Sequence, residues 1–322
     1  MAWLAAGFPD HVPATTIDRR CGSSQQAVHF AAQGIMAGAY DIVIACGIES
    51  MSRVPMGAAR IGQNPYGPSM EARYAPGLVS QGVSAELVAA KYGLSRHDMD
   101  SYAAQSHQRA HTARQANAFH REILPIRTPA GMVDQDETIR PGTTEEGLAA
   151  LPSPFRNAEL SERFPQIGWN VTAGNASQIS DGAAAMLLMS ESAAVRMGLT
   201  PRARFVSFDV YGADPLYMLT APIPSSQRAI RKSGLHLEQI AHYEINEAFA
   251  SVPLAWQREL GADPARLNPR GGAIALGHPL GASGVRLMTT MLHALEDSGQ
   301  RYGLQSMCEA GGMANATIIE CL

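Results

Sequence analysis

The sequence predicts an α/β fold of two similar halves on either side of a long irregular segment. Alternating strands and helices occupy residues 1–50 and 179–322, whereas residues 51–178 are polar and interrupted by proline and glycine. The succession strand, small-residue turn, helix, strand occurs twice, with turns at Cys21-Gly-Ser-Ser24 and Gly281-Ala-Ser-Gly284. Two such units facing each other would bring both turns to one central cleft, although the pattern alone is common in α/β proteins.

Composition and charge exclude several classes of protein. With 322 residues, 46% of them hydrophobic and 17% charged, the chain has room for about two globular domains. A net charge of −4 provides no positive field for nucleic acid or anionic lipid. The four cysteines form no CxxC pair or metal spacing, so we expect reduced thiols, no bound metal and a cytoplasmic location. The start of the chain lacks the features of a signal peptide, and no apolar segment is as long as a membrane span.

Residues 1–50 are predicted to form a strand, a tight turn, a buried helix and a second strand. We place the first strand over Val12–Asp18, the helix over Gln25–Ala39 and the second strand over Asp41–Cys46. The continuous apolar run of this second strand predicts burial on both faces, so Cys46 is assigned to the core. Cys321, near the end of the chain, is assigned no role.

Residues 51–178 contain one clear helix, which begins at the capping-box-like Ser95-Arg-His-Asp98 and continues to about Phe119. The rest of this region is predicted to form long loops, which in a compact enzyme usually cover a binding site. Regular structure returns in residues 179–322, where a glycine-rich turn over 271–284 precedes a helix to about Ser298. The other elements predicted there are a helix over Ser226–Lys232 and strands over Ala183–Met189, Ala203–Asp209, Ile240–Ile245, Gly303–Met307 and Ala316–Glu320.

Cys21 has the surroundings that a nucleophilic thiol needs. The small residues Gly22-Ser-Ser24 allow a sharp turn into a helix, and the positive end of a helix dipole lowers the pKa of a nearby thiol. A small buried apolar residue, which is what most free cysteines are, is an equally good interpretation of this segment by itself.

Three further side chains are candidates for chemistry. His278 lies among the five glycines of Gly271–Gly284, which favours a functional histidine over a structural one; a phosphate-binding loop is ranked lower because the dinucleotide fingerprint is absent. Cys308 ends a predicted strand and precedes Gly311-Gly312, whose N–H groups suit an oxyanion. Asn246 follows a strand, where its amide suits either an oxyanion hole or a helix N-cap.

In order and spacing, these segments resemble the signature blocks of the thiolase family. The blocks are Cys21-Gly-Ser-Ser24, Asn170–Ser177, Asn246–Ala250, Gly271–Gly284 and Cys308–Met313, and the match covers essentially the whole chain. The resemblance implies a five-layered αβαβα fold of two similar halves. Residues 1–50 and 179–322 would form the halves, and residues 51–178 an inserted loop domain over the CoA site.

The resemblance also implies a role for each candidate residue. Cys21 would be the nucleophile, His278 its activator, Cys308 the acid–base partner and Asn246 the holder of an oxyanion-hole water. The backbone N–H groups of Cys21 and Ala310 would form a second oxyanion hole, although the family usually has glycine where this chain has Ala310. The implied contacts of the CoA pantetheine are Ala173, Ser177, Met218, Ala248 and Phe249.

The implied activity is that of an acyl-CoA C-acyltransferase. It would cleave 3-ketoacyl-CoA to acetyl-CoA or propionyl-CoA and a shortened acyl-CoA, or run the reverse Claisen condensation. CoA is then a substrate and no cofactor is needed. The run Cys308–Asn315 looks closer to actinobacterial thiolases of lipid and steroid degradation than to the biosynthetic branch, and a second reactive cysteine argues against a decarboxylating condensing enzyme. We expect a cytoplasmic homodimer or homotetramer with acyl-CoA and CoA as its partners.

One departure from the family pattern concerns the beginning of the chain. Thiolases carry a further segment before the nucleophile's strand, and that segment forms the first two strands of the first half's sheet. We therefore expect the first half to be N-terminally incomplete. A catalytically impaired, acyl-CoA-binding thiolase-like subunit is the alternative to an active enzyme.

Overall fold

The computed structural model describes all residues from Met1 to Leu322. The strands are β1 (Ile42–Ser50), β2 (Ile126–Thr128), β3 (Gly131–Val133), β4 (Asp181–Met189), β5 (Ala203–Gly212), β6 (His242–Ile245), β7 (Tyr302–Glu309) and β8 (Met313–Cys321). The helices are α1 (Ala2–Ala5), α2 (Ser23–Met36), α3 (Pro68–Arg73), α4 (Gln81–Lys91), α5 (Arg96–Gln115), α6 (Glu145–Ala149), α7 (Ala158–Arg163), α8 (Glu191–Arg196), α9 (Pro222–Ser233), α10 (Ser251–Leu260), α11 (Ala273–Leu276) and α12 (Leu280–Ser298). No helix combines the length and apolar character needed to cross a membrane.

A four-stranded sheet in the order β5-β8-β7-β6 forms the centre of the C-terminal half. β8 runs antiparallel to β5 and β7, and β6 runs parallel to β7. Helices cover both faces of this sheet. This is shown by neighbouring residues of β8, which belong to different apolar clusters. Ile318 joins the cluster that contains residues of α4, α9 and α10, and Ile319 joins the cluster that contains residues of α2 and α12.

β1 and β4 form a separate antiparallel sheet of two strands. One face packs on α2 and α12 through Ala45 and Leu188. The other face is open, with Ile44 45% and Ile48 74% exposed. The prediction of a strand buried on both faces is therefore wrong, and Cys46 is exposed rather than part of the core. The apolar run lies in a strand with one partner strand and one covered face, which composition alone does not reveal.

The helices α2 and α12 pack against each other between the two sheets. Their close approach depends on glycine, because a Cβ atom on Gly284 would lie 2.3 Å from the backbone nitrogen of Gln25. At the same crossing Val285 N donates a hydrogen bond to Ser24 Oγ (3.1 Å). The layers of the fold are therefore, in spatial order, the outer helices, the four-stranded sheet, the central helix pair and the two-stranded sheet. The predicted fold of two turn–helix units that meet at the centre is confirmed.

Most predicted elements are present with shifted ends, and one is not. Residues 13–18 have no regular structure and are largely exposed, because no strand lies beside them to pair with their backbone. The predicted strand over Val12–Asp18 is therefore wrong. The predicted start of α5 is confirmed in detail: Asp98 N donates to Ser95 Oγ (3.1 Å), and Ser95 N donates to the Asp98 carboxylate (2.8 Å).

Candidate active site

Cys21 lies in the turn that leads into α2. It is 3% exposed and packs against Leu287 of α12 and Met307 of β7. Burial, followed by the negative charge of Glu309, raises the pKa of the thiol to about 12. The expectation that the helix N-terminus lowers this pKa is therefore wrong, because the loss of water around the sulfur outweighs the helix dipole.

Three hydrogen-bond donors face the Cys21 sulfur and favour its thiolate. They are the backbone N–H of Cys21, the side-chain amide of Gln81 and the backbone N–H of Ala310, and each lowers the pKa of the thiol. The two backbone groups are those that the resemblance assigns to an oxyanion hole. They meet because the Cys21 turn faces the loop between β7 and β8. Gln81 was not among the predicted residues.

Cys308 lies near the end of β7 and is fully buried. Burial raises the pKa of its thiol well above the ordinary value, and the neighbouring Cys21 and Glu309 raise it further. The two thiols are thus close enough that a charge on one opposes a charge on the other. Both are neutral at pH 7 in the resting protein, so a proton acceptor is needed to activate either one.

His278 is buried in a fixed tautomer. Its Nδ1 lies 2.6 Å from Ser283 Oγ, and that hydroxyl donates to the backbone oxygen of Pro279 (2.9 Å). The serine oxygen must therefore accept a hydrogen bond from Nδ1–H, which leaves Nε2 as the basic nitrogen. Nε2 faces Asn246 Nδ2 at 3.4 Å. Burial, assisted by the positive charge of Arg286, lowers the pKa of the imidazole to about 3, so the ring is neutral at pH 7 and Nε2 carries no proton.

Asn246 directly follows β6, where its N–H donates to the Ser306 carbonyl of β7 (3.1 Å). Its side chain is fully buried, and its Oδ1 accepts no hydrogen bond from the protein. The alternative role as a helix N-cap does not apply, since α10 begins only at Ser251. The turn is held by Glu247, whose carboxylate accepts hydrogen bonds from Tyr102 Oη, Ser106 Oγ, Asn268 Nδ2 and Ile274 N.

The residues predicted to contact CoA lie in connected parts of the fold. Ser177 N donates to the Ala248 carbonyl (3.0 Å), and Phe249 forms a β-bridge with the residue before Ser177. Met218, Ala248 and Phe249 share one apolar cluster. Ala173 lines an adjacent cleft of about 170 Å³. This cleft adjoins the catalytic candidates, because Gln178 on its wall accepts a hydrogen bond from the backbone N–H of His278 (3.2 Å).

A buried carboxyl group also lies beside the two cysteines. Glu309 Oε2 is 2.8 Å from Arg19 Nε, and a Cβ atom on Gly22 would lie 2.0 Å from Glu309 Oε1. Burial raises the pKa of Glu309 to about 7, against the opposing effect of Arg19. The site therefore contains a charge that titrates near neutrality next to both thiols. Nothing in the sequence marked Glu309 as a functional residue, apart from its position directly after Cys308.

Comparison with known proteins shows what this arrangement is similar to. The family model described as "Thiolase, N-terminal domain" matches residues 1–192, and "Thiolase, C-terminal domain" matches residues 199–321. The chain is 48% identical to Steroid 3-ketoacyl-CoA thiolase FadA6 of Mycobacterium tuberculosis, over 100% of this chain and 78% of that protein. It is 42% identical to 3-ketoacyl-CoA thiolase of Pseudoalteromonas translucida, over 99% and 81%. The structure of human mitochondrial 3-ketoacyl-CoA thiolase in complex with CoA matches with a TM-score of 0.87 and 37% identity, over 99% and 80%.

Proposed function

The chain belongs to the thiolase family, and we propose that it cleaves 3-ketoacyl-CoA thiolytically through an acyl group carried on Cys21. It is an acyltransferase with acyl-CoA and CoA as its substrates. The observation that carries the proposed mechanism is the convergence of four buried side chains. The thiols of Cys21 and Cys308 are close enough to interact, Asn246 contacts the neutral imidazole of His278, and the Asn246 N–H donates to Ser306 of β7, the strand that carries Cys308.

The first step is a proton transfer from the buried Cys21 thiol to the neutral imidazole of His278. His278 Nε2 takes the Cys21 proton as the sulfur attacks the 3-keto carbon of the bound substrate. The charge that develops on the keto oxygen is met by the N–H groups of Cys21 and Ala310. Breaking the C2–C3 bond then leaves the acyl group on Cys21 and the enolate of acetyl-CoA or propionyl-CoA.

Residues of the C-terminal half stabilise and protonate the enolate and then deprotonate the second substrate, CoA. Asn246, through a water, and His278 stabilise the enolate oxygen, while Cys308 gives its proton to the enolate carbon. The Cys308 thiolate then takes the proton of an incoming CoA, whose sulfur attacks the acyl group on Cys21 and releases the shortened acyl-CoA. The Cys21 sulfur leaves as a thiolate and recovers its proton from His278. Every step moves a proton or an acyl group, so the mechanism requires no metal or redox cofactor.

The acyl chain proposed for this enzyme is a bulky one, such as a steroid side chain. The support is 48% identity, over the whole chain, to a relative whose name specifies a steroid substrate. We further expect a homodimer or homotetramer in the cytoplasm, with the oligomeric state to be measured by analytical ultracentrifugation. No contact within the site and no comparison favours the alternative of an impaired acyl-CoA-binding subunit.

Mass spectrometry after incubation with acetoacetyl-CoA or a longer 3-ketoacyl-CoA tests the mechanism and the chain length together. The expected result is an acyl adduct on the Cys21 peptide whose mass identifies the acyl group. Cys21→Ala removes both adduct and turnover, whereas Cys46→Ala, at an exposed thiol, keeps both and serves as the matched control. Near-normal thiolysis by Cys21→Ala would refute the assignment of the nucleophile. An adduct without turnover would favour the impaired subunit.

A further inference from the structure

A serine hydroxyl closes the turn that carries Cys21. Ser23 is the first residue of α2, and its Oγ bonds backward to the residues that precede the nucleophile. This Oγ accepts a hydrogen bond from the backbone N–H of Arg19 (2.9 Å) and donates one to the backbone oxygen of Arg20 (2.6 Å). The backbone N–H of Ser23 donates to the same oxygen (3.2 Å). The chain before Cys21 and the chain after it are therefore tied together through one residue.

The Arg20 oxygen belongs to the same peptide unit as the Cys21 N–H. A peptide unit is planar and, at this bond, trans, so its C=O and its N–H point in opposite directions. The two hydrogen bonds from Ser23 hold the carbonyl end of this plane, and they thereby set the direction of the Cys21 N–H at the other end. That N–H is one of the two donors that the proposed mechanism directs at the oxygen of the reacting carbonyl.

The turn needs this support because Arg20 has an unfavourable backbone conformation. Its φ of +53° lies in the left-handed region, which a residue with a Cβ atom adopts at a cost in free energy. The Arg20 side chain is 60% exposed, so its packing does little to hold the conformation. Asp18 accepts a hydrogen bond from the Arg20 N–H (3.0 Å) but is exposed to water as well. The half-buried Ser23 is therefore the stronger support of this turn.

We propose that Ser23 is a positioning residue, which orients the Cys21 N–H toward the oxyanion that forms when the Cys21 sulfur attacks the substrate. The inference rests on the proposed function, because it takes Cys21 as the nucleophile and its N–H as part of the oxyanion hole. In this role Ser23 transfers no proton. Its effect arises only as charge develops on the substrate oxygen, so loss of the hydroxyl should lower kcat and leave KM nearly unchanged.

The test compares acylation of Cys21 by acetoacetyl-CoA with alkylation of the same thiol by iodoacetamide, each followed on the full chain by mass spectrometry of the Cys21 peptide. Ser23→Ala removes the hydroxyl. We expect its acylation rate and kcat to fall roughly tenfold to a hundredfold, because an oxyanion-hole donor is misdirected rather than deleted. KM should stay within about twofold. Alkylation passes through no oxyanion, so it should slow by less than about threefold.

Two further variants separate positioning from a general effect on stability. Ser23→Thr keeps the hydroxyl and should restore most of the acylation rate. Ser161→Ala removes another half-buried serine hydroxyl, which donates to the backbone oxygen of Asn157 (2.7 Å), and should change neither reaction. Equal slowing of acylation and alkylation by Ser23→Ala would show that the hydroxyl acts on the thiol and not on the oxyanion hole. A lower melting temperature with unchanged kcat would show a structural role. Either result overturns the proposal.

A variant at Arg20 covers the case in which Ser23→Ala is too unstable to assay. Glycine adopts a positive φ without the cost that a Cβ atom imposes, so Arg20→Gly should stabilise the turn. The double variant Arg20→Gly, Ser23→Ala should still have a lower kcat than Arg20→Gly alone, with alkylation unchanged, and an equal kcat would refute the proposal. Failure of this inference alone would appear only in the variants. Failure of the proposed function would appear in the unmodified chain, as alkylation of Cys21 without any acyl adduct.

Discussion

The two sheets of this molecule follow similar turn–helix units but are covered very differently. In the four-stranded sheet, all residues of β7 after Tyr302 are buried, and so is the whole of β8 except its two end residues. In the two-stranded sheet, Ala45 is the one buried residue of β1. The turn–helix–strand pattern thus predicts the path of the chain in each half, but the number of layers around the strand is set by what packs on its second face.

The two halves are also joined by contacts of a different kind from those within the C-terminal half. Apolar contacts hold the four-stranded sheet to α4, α9 and α10, whereas α2 contacts β8 through buried polar side chains in addition to the apolar cluster of Ile319. Gln25 Nε2 donates to Thr317 Oγ1 (2.8 Å), His29 Nε2 lies 2.7 Å from the same oxygen, and Asn315 Nδ2 donates to Gln26 Oε1 (3.2 Å). Since hydrogen bonds are directional, these contacts define the position of the Cys21 turn relative to the strand that carries Cys308.

The largest expected effect distinguishes the role of Cys308, in the C-terminal half, from that of Cys21, in the N-terminal half. Cys308→Ala should slow cleavage of the C–C bond by about a hundredfold to ten-thousandfold, the usual loss for a general acid–base group. Acyl transfer from a simple acyl-CoA onto Cys21 should be slowed much less, because that half-reaction needs no proton at the enolate carbon and CoA can leave as its thiolate. Steady-state thiolysis and the adduct mass measure the two separately. Equal loss of both would assign Cys308 a structural role.

The next comparison is between an isoleucine in each sheet. Ile318→Ala, at a fully buried position of β8, should lower the free energy of unfolding by about 2–5 kcal/mol, as truncations in a packed core do. Ile44→Ala, at a position of β1 that is 45% exposed, should cost less than about 1 kcal/mol. Chemical denaturation of both variants gives the two values. A loss at Ile44 as large as that at Ile318 would show that the open face of β1 is covered in solution.

Local features of the fold were predictable because they depend on neighbours in sequence. The capping box at Ser95 and the end of α12 at Ser298, before a glycine with φ of +61°, follow from residues within one helical turn. Cys21, Asn246, His278 and Cys308 were proposed from motifs. In the structure the two thiols interact, Asn246 contacts His278, and Asn246 is hydrogen-bonded to the strand that carries Cys308.

What could not be predicted depends on contacts between distant parts of the chain. Gln81 reaches Cys21 from the middle region, and Arg19 meets Glu309 from the other end of the sequence, without any local pattern to mark either pair. The direction of the Cys21 pKa shift was wrong for the same reason. The helix dipole can be inferred from sequence, but the burial that outweighs it is a property of the whole assembly.

A smaller effect tests the polar contact between the halves. Thr317→Val keeps the shape of the side chain but removes the oxygen that Gln25 Nε2 and His29 Nε2 contact. Leaving buried donors without an acceptor should lower the free energy of unfolding by about 1–3 kcal/mol. Thr317→Ser keeps the hydroxyl and should lose clearly less. A larger loss for Thr317→Ser than for Thr317→Val in chemical denaturation would show that the methyl group, and not the hydrogen bonds, joins α2 to β8.

The smallest effect concerns the pH dependence of the nucleophile, because each half supplies one partner of the ion pair beside it. Glu309 has a pKa raised to about 7, so it is mostly protonated below neutral pH and mostly ionised above it. Its negative charge raises the pKa of Cys21, so the ionised form slows alkylation of this thiol. Glu309→Gln mimics the protonated form, still beside Arg19, and should match the unmodified chain in acid. As pH rises through 7, the variant should become faster, by about tenfold at most. A rate ratio that stays constant with pH would show that the Glu309 charge does not act on the Cys21 thiol.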